Sequence, residues 1–157
     1  MKVKTIKTEW YQDYKYPNML IAFPKCNWKC EKDCGEKICQ NKELALSPDI
    51  EISCQEIVDR YMQNSITKAI VCGGLEPFDS WEDLRRLISL LRTKTNDDII
   101  IYTGYNEDEI SNMLKYLRCY RNIIVKFGRF IPNQEPHYDD ILGINLASPN
   151  QYSERIS

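Results

Sequence analysis

A chain of 157 residues is long enough to bury one hydrophobic core, and it reads as a single domain over 1–157 with a poorly defined lead-in at 1–17. Its composition is ordinary for a globular protein, 43% hydrophobic and 28% charged, and a net charge of −2 excludes the basic footprint of a nucleic-acid binder. No apolar run approaches the ~20 residues of a membrane helix, and the start, with Lys2, Lys4 and Lys7, lacks the apolar core of a signal peptide. The expectation is a cytoplasmic protein with neither membrane nor nucleic acid as partner.

Residues 1–17 are polar and aromatic (Trp10, Tyr11, Tyr14, Tyr16) and end at Pro17; an edge strand and an irregular lead-in both fit. Met19 to Phe23 is a short apolar run closed by Pro24, which predicts a buried strand. Four cysteines follow within fourteen residues, Cys26, Cys30, Cys34 and Cys39, separated by three, three and four residues. Disulfides are uncommon in the cytoplasm, and seven cysteines in all cannot pair completely. Thiolates this crowded in a loop point to a shared metal ion or an iron–sulfur cluster. The loop leaves the C-terminal end of a strand, where α/β proteins place their chemistry.

Ser53-Cys54-Gln55-Glu56 has the form of a capping box, and Ile57, Val58, Tyr61 and Met62 form an apolar stripe at helical spacing. Ile66 to Cys72 reads as a strand running into Gly73-Gly74-Leu75-Glu76-Pro77. Asp79 or Ser80 can cap a helix whose stripe is Leu84, Leu87, Ile88 and Leu91. Ile99 to Tyr102 is a β-branched strand ending at Thr103-Gly104. Asn106 and Glu109 then open a helix carrying Ile110, Met113, Leu114 and Leu117. Ile123 to Phe127 is a further strand, a Pro-containing loop spans 131–140, and a last strand is expected around Ile141 to Leu146 before a short tail.

Strand and helix alternating at this spacing imply parallel strands joined by right-handed crossovers. An eight-fold barrel takes ~250 residues, so the expected α/β fold is a partial, open βα barrel of four to five mainly parallel strands, with helices on its outer face.

Structural zinc usually draws on two ligand pairs set well apart, whereas these gaps are short and the lone histidine, His137, is remote. The spacing suits a loop around one corner of an iron–sulfur cube. Neither the two-residue gaps nor the Pro after the last Cys of a conventional ferredoxin is present. A four-cysteine zinc-binding module without enzymatic activity stays as the alternative class.

Several segments taken in order resemble the radical S-adenosylmethionine superfamily, and within it the activating proteins of anaerobic ribonucleotide reductase. Cys26-x3-Cys30 after a first strand is similar to the superfamily's C-x3-C-x2-C, and Gly73-Gly74-Leu75-Glu76-Pro77 to its Gly-Gly-Glu-Pro with one Leu inserted. Tyr102-Thr103-Gly104-Tyr105, Phe127-Gly128-Arg129-Phe130 and Ser148-Pro149-Asn150-Gln151 resemble the activating proteins' Tyr-Thr-Gly-Tyr, Asp-Gly-Arg-Phe and Ser-Ser-Asn-Gln. The likeness runs from about Met19 to Gln151. It departs at Lys126-Phe127, where those proteins carry an acidic residue.

This resemblance implies a [4Fe–4S] cluster held by three cysteines, with one iron open to S-adenosylmethionine. The ligands are then Cys26, Cys30 and Cys39, since Ile38 and Asn41 flank Cys39 as in the family; Cys34, three residues beyond Cys30, is the alternative third ligand. It further implies reductive cleavage to a 5′-deoxyadenosyl radical and formation of a glycyl radical on an anaerobic ribonucleotide reductase, or on another glycyl-radical enzyme, with a flavodoxin-like electron donor. Another protein, a peptide or a small molecule is the alternative substrate. Gly73 and Gly74 let backbone approach the ligand's ammonium. Glu76 accepts from the ligand or braces its loop, and Pro77 stiffens it. Tyr102 and Thr103 line a nucleoside pocket or simply form a turn. Arg129 meets a carboxylate or forms a surface ion pair. Cys54, Cys72 and Cys119 are expected as buried small hydrophobes, and His137 as exposed.

Overall fold

The computed structural model describes residues 1–157. In chain order its strands are β1 (Lys2–Val3), β2 (Thr5–Trp10), β3 (Asn18–Phe23), β4 (Ile50–Glu51), β5 (Ala69–Gly74), β6 (Asp98–Tyr102), β7 (Ile123–Phe127), β8 (His137–Asp139), β9 (Ile144–Leu146) and β10 (Tyr152–Arg155). Its helices are α1 (Lys29–Cys34), α2 (Lys42–Leu46), α3 (Cys54–Gln63), α4 (Trp81–Arg92) and α5 (Ser111–Leu117), with 3₁₀ turns at Pro77–Ser80 and Glu107–Ile110.

Six strands form the main sheet in the order β10-β7-β6-β5-β3-β2. β3, β5, β6 and β7 are parallel and lie side by side in chain order. β2 and β10 flank them antiparallel. The sheet does not close into a barrel, and it has six strands rather than four or five. The lead-in supplies edge strand β2. The short tail, with no strand expected in it, supplies the opposite edge strand β10, while the stretch expected as a strand at 141–146 contributes only β9 (Ile144–Leu146) to a separate hairpin with β8. Tyr152 to Arg155 lacks a periodic apolar signal because an edge strand half open to solvent needs none.

Alternation along the parallel strands sends one set of side chains to the helices. Met19, Ile21, Phe23, Ile70, Cys72, Ile99, Ile101, Ile123, Val125 and Phe127 pack against Ile57, Leu84, Leu87, Ile88, Leu91, Leu114 and Leu117. Each such buried aliphatic side chain stabilises the fold by about 1.5–3 kcal/mol relative to exposure. The opposite face carries Ala69, Val71, Ile100 and Ile124, covered by Tyr14 of the lead-in and by Leu142 and Leu146 of the hairpin region. The Tyr14 hydroxyl donates to Asp98 (2.6 Å), which also takes two bonds from Arg155.

Ser53 Oγ accepts from the Glu56 N–H (3.0 Å), but Glu56 pairs with Arg60 instead of reaching back, so only half of the capping box forms. Met62 is 49% exposed and falls off the α3 stripe. Ser80 caps α4 without a side-chain hydrogen bond, since Asp79 is committed elsewhere. At Asn106 the reciprocal half forms: its N–H donates to the Glu109 carboxylate (2.9 Å). No helix is long and apolar enough to cross a membrane.

Candidate metal centre

β3 and β5 end in register, Phe23 opposite Gly74, and their continuations stay joined: the Glu76 N–H donates to the Lys25 carbonyl at 2.7 Å. The cysteine loop and the Gly-Gly loop therefore leave the sheet together at the C-terminal ends of parallel strands. The chain then turns through Trp28 in the left-handed region (φ 60°) into α1, which Gly35 ends at φ 77°. Asn27 anchors the turn. Its N–H donates to Asp79 (2.7 Å), and its side-chain amide reaches the Tyr105 hydroxyl, itself a donor to Asp79 (2.6 Å).

All seven cysteines are free thiols. Cys26, Cys30 and Cys39 are half-buried, whereas Cys34 is exposed at the end of α1. Burial pushes the Cys26 thiol up to about 11 against the Trp28 N–H that donates to its Sγ; Glu76, Asp79 and Cys30 add to the rise. Burial likewise raises Cys39, with Glu31 and Cys30 adding to it. Thiols held neutral by burial ionise on meeting a cation, so metal binding here is coupled to proton release. Cys30 also approaches the strand ends, since a Cβ built on Gly104 would lie 3.3 Å from its Sγ. Asn41, two residues after Cys39, donates from Nδ2 to the Gly74 carbonyl (2.6 Å) and closes the loop onto β5.

The two glycines differ. Gly74 has φ 83°, and a Cβ there would fall 2.6 Å from that of Ala22, so backbone and packing both demand glycine. Gly73 has no positive φ, and its Cβ would make ordinary contacts, 3.6 Å to Tyr102 Cβ and 3.8 Å to Leu20 Cδ1. The fold would therefore admit a methyl at Gly73, and its absence leaves a methyl-sized notch on the face away from the helices.

Glu76 is a brace. Its carboxylate accepts from Phe78 N (3.2 Å), Thr103 Oγ1 (2.9 Å) and Gly104 N (2.9 Å), tying the Pro77 turn to the end of β6. Burial nevertheless pushes its pKa up to about 7. Thr103 is spent on that brace and on the Tyr105 N–H. The Tyr102 hydroxyl donates to the Asp13 carbonyl (2.6 Å), so its polar end is spent there and its Cβ is what borders the notch. Arg129 pairs with both oxygens of Glu109 (2.8 and 2.7 Å) and with Asp33 of α1. It holds the Glu109 carboxyl well below the usual range and fastens the cysteine helix to the loop after β6. Lys29 meets the same Glu109 (2.6 Å) and lies over the Tyr105 ring.

The structure thus gathers Cys30, Glu76, Thr103, Gly104 and Arg129 at one edge, with Gly73 and Tyr102 on the adjoining face. Asn27, Asp79 and Tyr105 belong to the same network and escaped the sequence reading, in which Asp79 was a candidate cap. Lys126 also stands here, on the strand expected to be apolar. Of the remaining cysteines, Cys54 and Cys72 are buried, but Cys119 is exposed because it follows the short α5 at the surface. His137 is partly covered, through its pairing with Leu146.

No three His, Cys, Asp or Glu side chains converge tightly enough to hold a single metal ion. A four-iron cube needs its thiolates further apart than one tetrahedral zinc does. Three half-buried soft donors in one loop, beside a buried lysine ammonium, fit the larger, anionic group.

The 4Fe-4S single cluster domain model matches residues 18–145, and the chain belongs to that family. It is accordingly a 4Fe-4S-binding protein, and the zinc alternative falls away. No curated protein and no solved structure matches the chain.

Proposed function

We propose that the protein is a radical S-adenosylmethionine enzyme of the activating type, which generates a glycyl radical on a large partner such as an anaerobic ribonucleotide reductase. The observation that carries the reading is the Gly73 notch. It lies at the strand ends that present the cysteine loop, and no clash in the protein's own packing explains the missing methyl. Family membership supports it, since a single cluster in an α/β chain fits a radical S-adenosylmethionine protein.

Cys26, Cys30 and Cys39 would hold the cluster, leaving the exposed Cys34 free. The chemistry the cluster supplies when bound is one-electron reduction of the sulfonium of S-adenosylmethionine, which breaks a C–S bond to give methionine and a 5′-deoxyadenosyl radical. The chain's own residues bind and orient. Backbone at Gly73 and Gly74 offers close approach to an amino group. Tyr102 Cβ and Leu20 Cδ1 bound the notch. Glu76, held by three donors, fixes the turn that carries Pro77. The open-arc reading of the fold rests on the chain-order arrangement of β3, β5, β6 and β7. Such an arc leaves the strand ends reachable by a macromolecular substrate, and a flavodoxin-like protein is the proposed donor.

The test is anaerobic reconstitution with iron and sulfide, reduction, and addition of S-adenosylmethionine. Production of 5′-deoxyadenosine is expected. A protein with a full cluster that makes none refutes the enzyme reading. Incubation with a candidate reductase, followed by a search for a glycyl radical signal, separates the activating role from other substrates.

A further inference from the structure

β7 carries one residue that its neighbours do not predict. Ile123, Val125 and Phe127 face the helices and Ile124 packs on the opposite face, yet Lys126, beside Tyr102 in register, puts an amine on that second face. Lys126 is only 7% exposed. Its Nζ donates to the Gly128 carbonyl (3.2 Å), lies 5.9 Å from the centre of the Tyr102 ring, and forms no ion pair, since no carboxylate oxygen comes within 4.0 Å.

An ammonium buried without an anion is costly, and the usual remedy is a partner charge. The Lys126 backbone carbonyl accepts from the Thr103 N–H (2.9 Å), and a Cβ on the next residue, Gly104, would lie 3.3 Å from Cys30 Sγ, so the acidic side chains that act on this amine are Cys30 and Glu76. Glu76 is a poor counterion, because both oxygens already accept from Phe78, Thr103 and Gly104. Arg129 also acts on Cys30, but Glu109 and Asp33 match its charge. Lys126 is left as the unmatched cation beside the cysteine loop. Three thiolates on a [4Fe–4S] core carry net negative charge, and reduction adds one more. A fixed positive charge in a dry surrounding favours the reduced form.

We propose that Lys126 is the resident countercharge of the iron–sulfur centre, a positioning residue that raises its reduction potential through charge. The inference rests on the cysteine loop holding the cluster and is independent of what the reduced centre then does.

The full-length protein and its Lys126→Met and Lys126→Arg variants would be reconstituted anaerobically, and each cluster titrated with redox mediators while the reduced signal is followed by electron paramagnetic resonance. At the potential where the parent is half reduced, Lys126→Met should show a ratio of reduced to oxidised cluster about tenfold lower, equivalent to about 59 mV for one electron. Lys126→Arg should stay within about twofold of the parent, since its charge is kept. An unchanged potential in Lys126→Met, or an equal shift in Lys126→Arg, overturns the proposal. Should Lys126→Met retain no iron, full iron and the parental potential in Lys126→Arg support the charge requirement, whereas loss of iron from both variants assigns Lys126 to packing and overturns it. A potential shift without 5′-deoxyadenosine formation refutes the enzyme reading alone; 5′-deoxyadenosine formation without a shift refutes this inference alone.

Discussion

Two adjacent glycines and two nearby cysteines make the sharpest contrasts among single residues. Gly74→Ala must strain a left-handed backbone and press on Ala22, which should cost about 1–3 kcal/mol, read as a lowered urea midpoint. Gly73→Ala meets neither penalty, so its urea midpoint should stay close to the parent's while S-adenosylmethionine binding, measured by calorimetry on the reconstituted protein, weakens at least tenfold. Equal stability losses in both variants would remove the case for a ligand notch. Cys39→Ala should lose iron on reconstitution and Cys34→Ala should keep it, because Cys39 is half-buried like Cys26 and Cys30 whereas Cys34 is exposed. The reverse result would make Cys34 the ligand.

At the scale of elements, the loops after β3, β5 and β6 are bound into one unit by two carboxylates, Asp79 and Glu76. Glu76 has its folded-state pKa raised from 4.5 to about 7, since burial outweighs its three donors. The folded chain therefore holds a proton that the unfolded chain releases near its ordinary value. Stability contributed through this group is full below pH about 4.5, falls as pH rises toward 7, and is flat above that. In protein stripped of iron, the unfolding free energy should decline by a few kcal/mol across that window. Glu76→Gln should flatten the decline, although it lowers stability throughout by leaving one of the three donors unpaired. Urea titrations at pH 4.5, 6 and 8 would check the slope, and an undiminished decline in the variant would assign it to other groups.

For the whole molecule, both edges of the parallel set depend on segments remote in sequence. β10 covers the open side of β7, Ile156 just after it joins the helix-side core, and Gln151 and Asn150 donate to the Gly128 and Arg129 carbonyls. Deletion of 151–157 should bare the β7 edge, lower the urea midpoint by several tenths of a molar or more, and promote association, read by light scattering. An unaltered midpoint would show that β10 is dispensable.

The apolar runs at Met19–Phe23, Ile99–Tyr102 and Ile123–Phe127 and the stripe Leu84, Leu87, Ile88, Leu91 determine strands and helix by themselves, because burial on a pleated or helical surface requires those periods. The four close cysteines likewise announce a metal-binding loop, since thiolates at that density have few other uses in an ordinary globular chain. Tertiary structure alone decides the rest. It makes Tyr14 a plug, turns an unpatterned tail into β10, spends Glu76 and Arg129 on bracing, and separates a structural Gly74 from a vacant Gly73. It also buries Lys126 beside the end of β6, which Cys30 approaches. Each of these depends on which distant group fills the space around a side chain, and that information resides in the packing of strands rather than in local spacing.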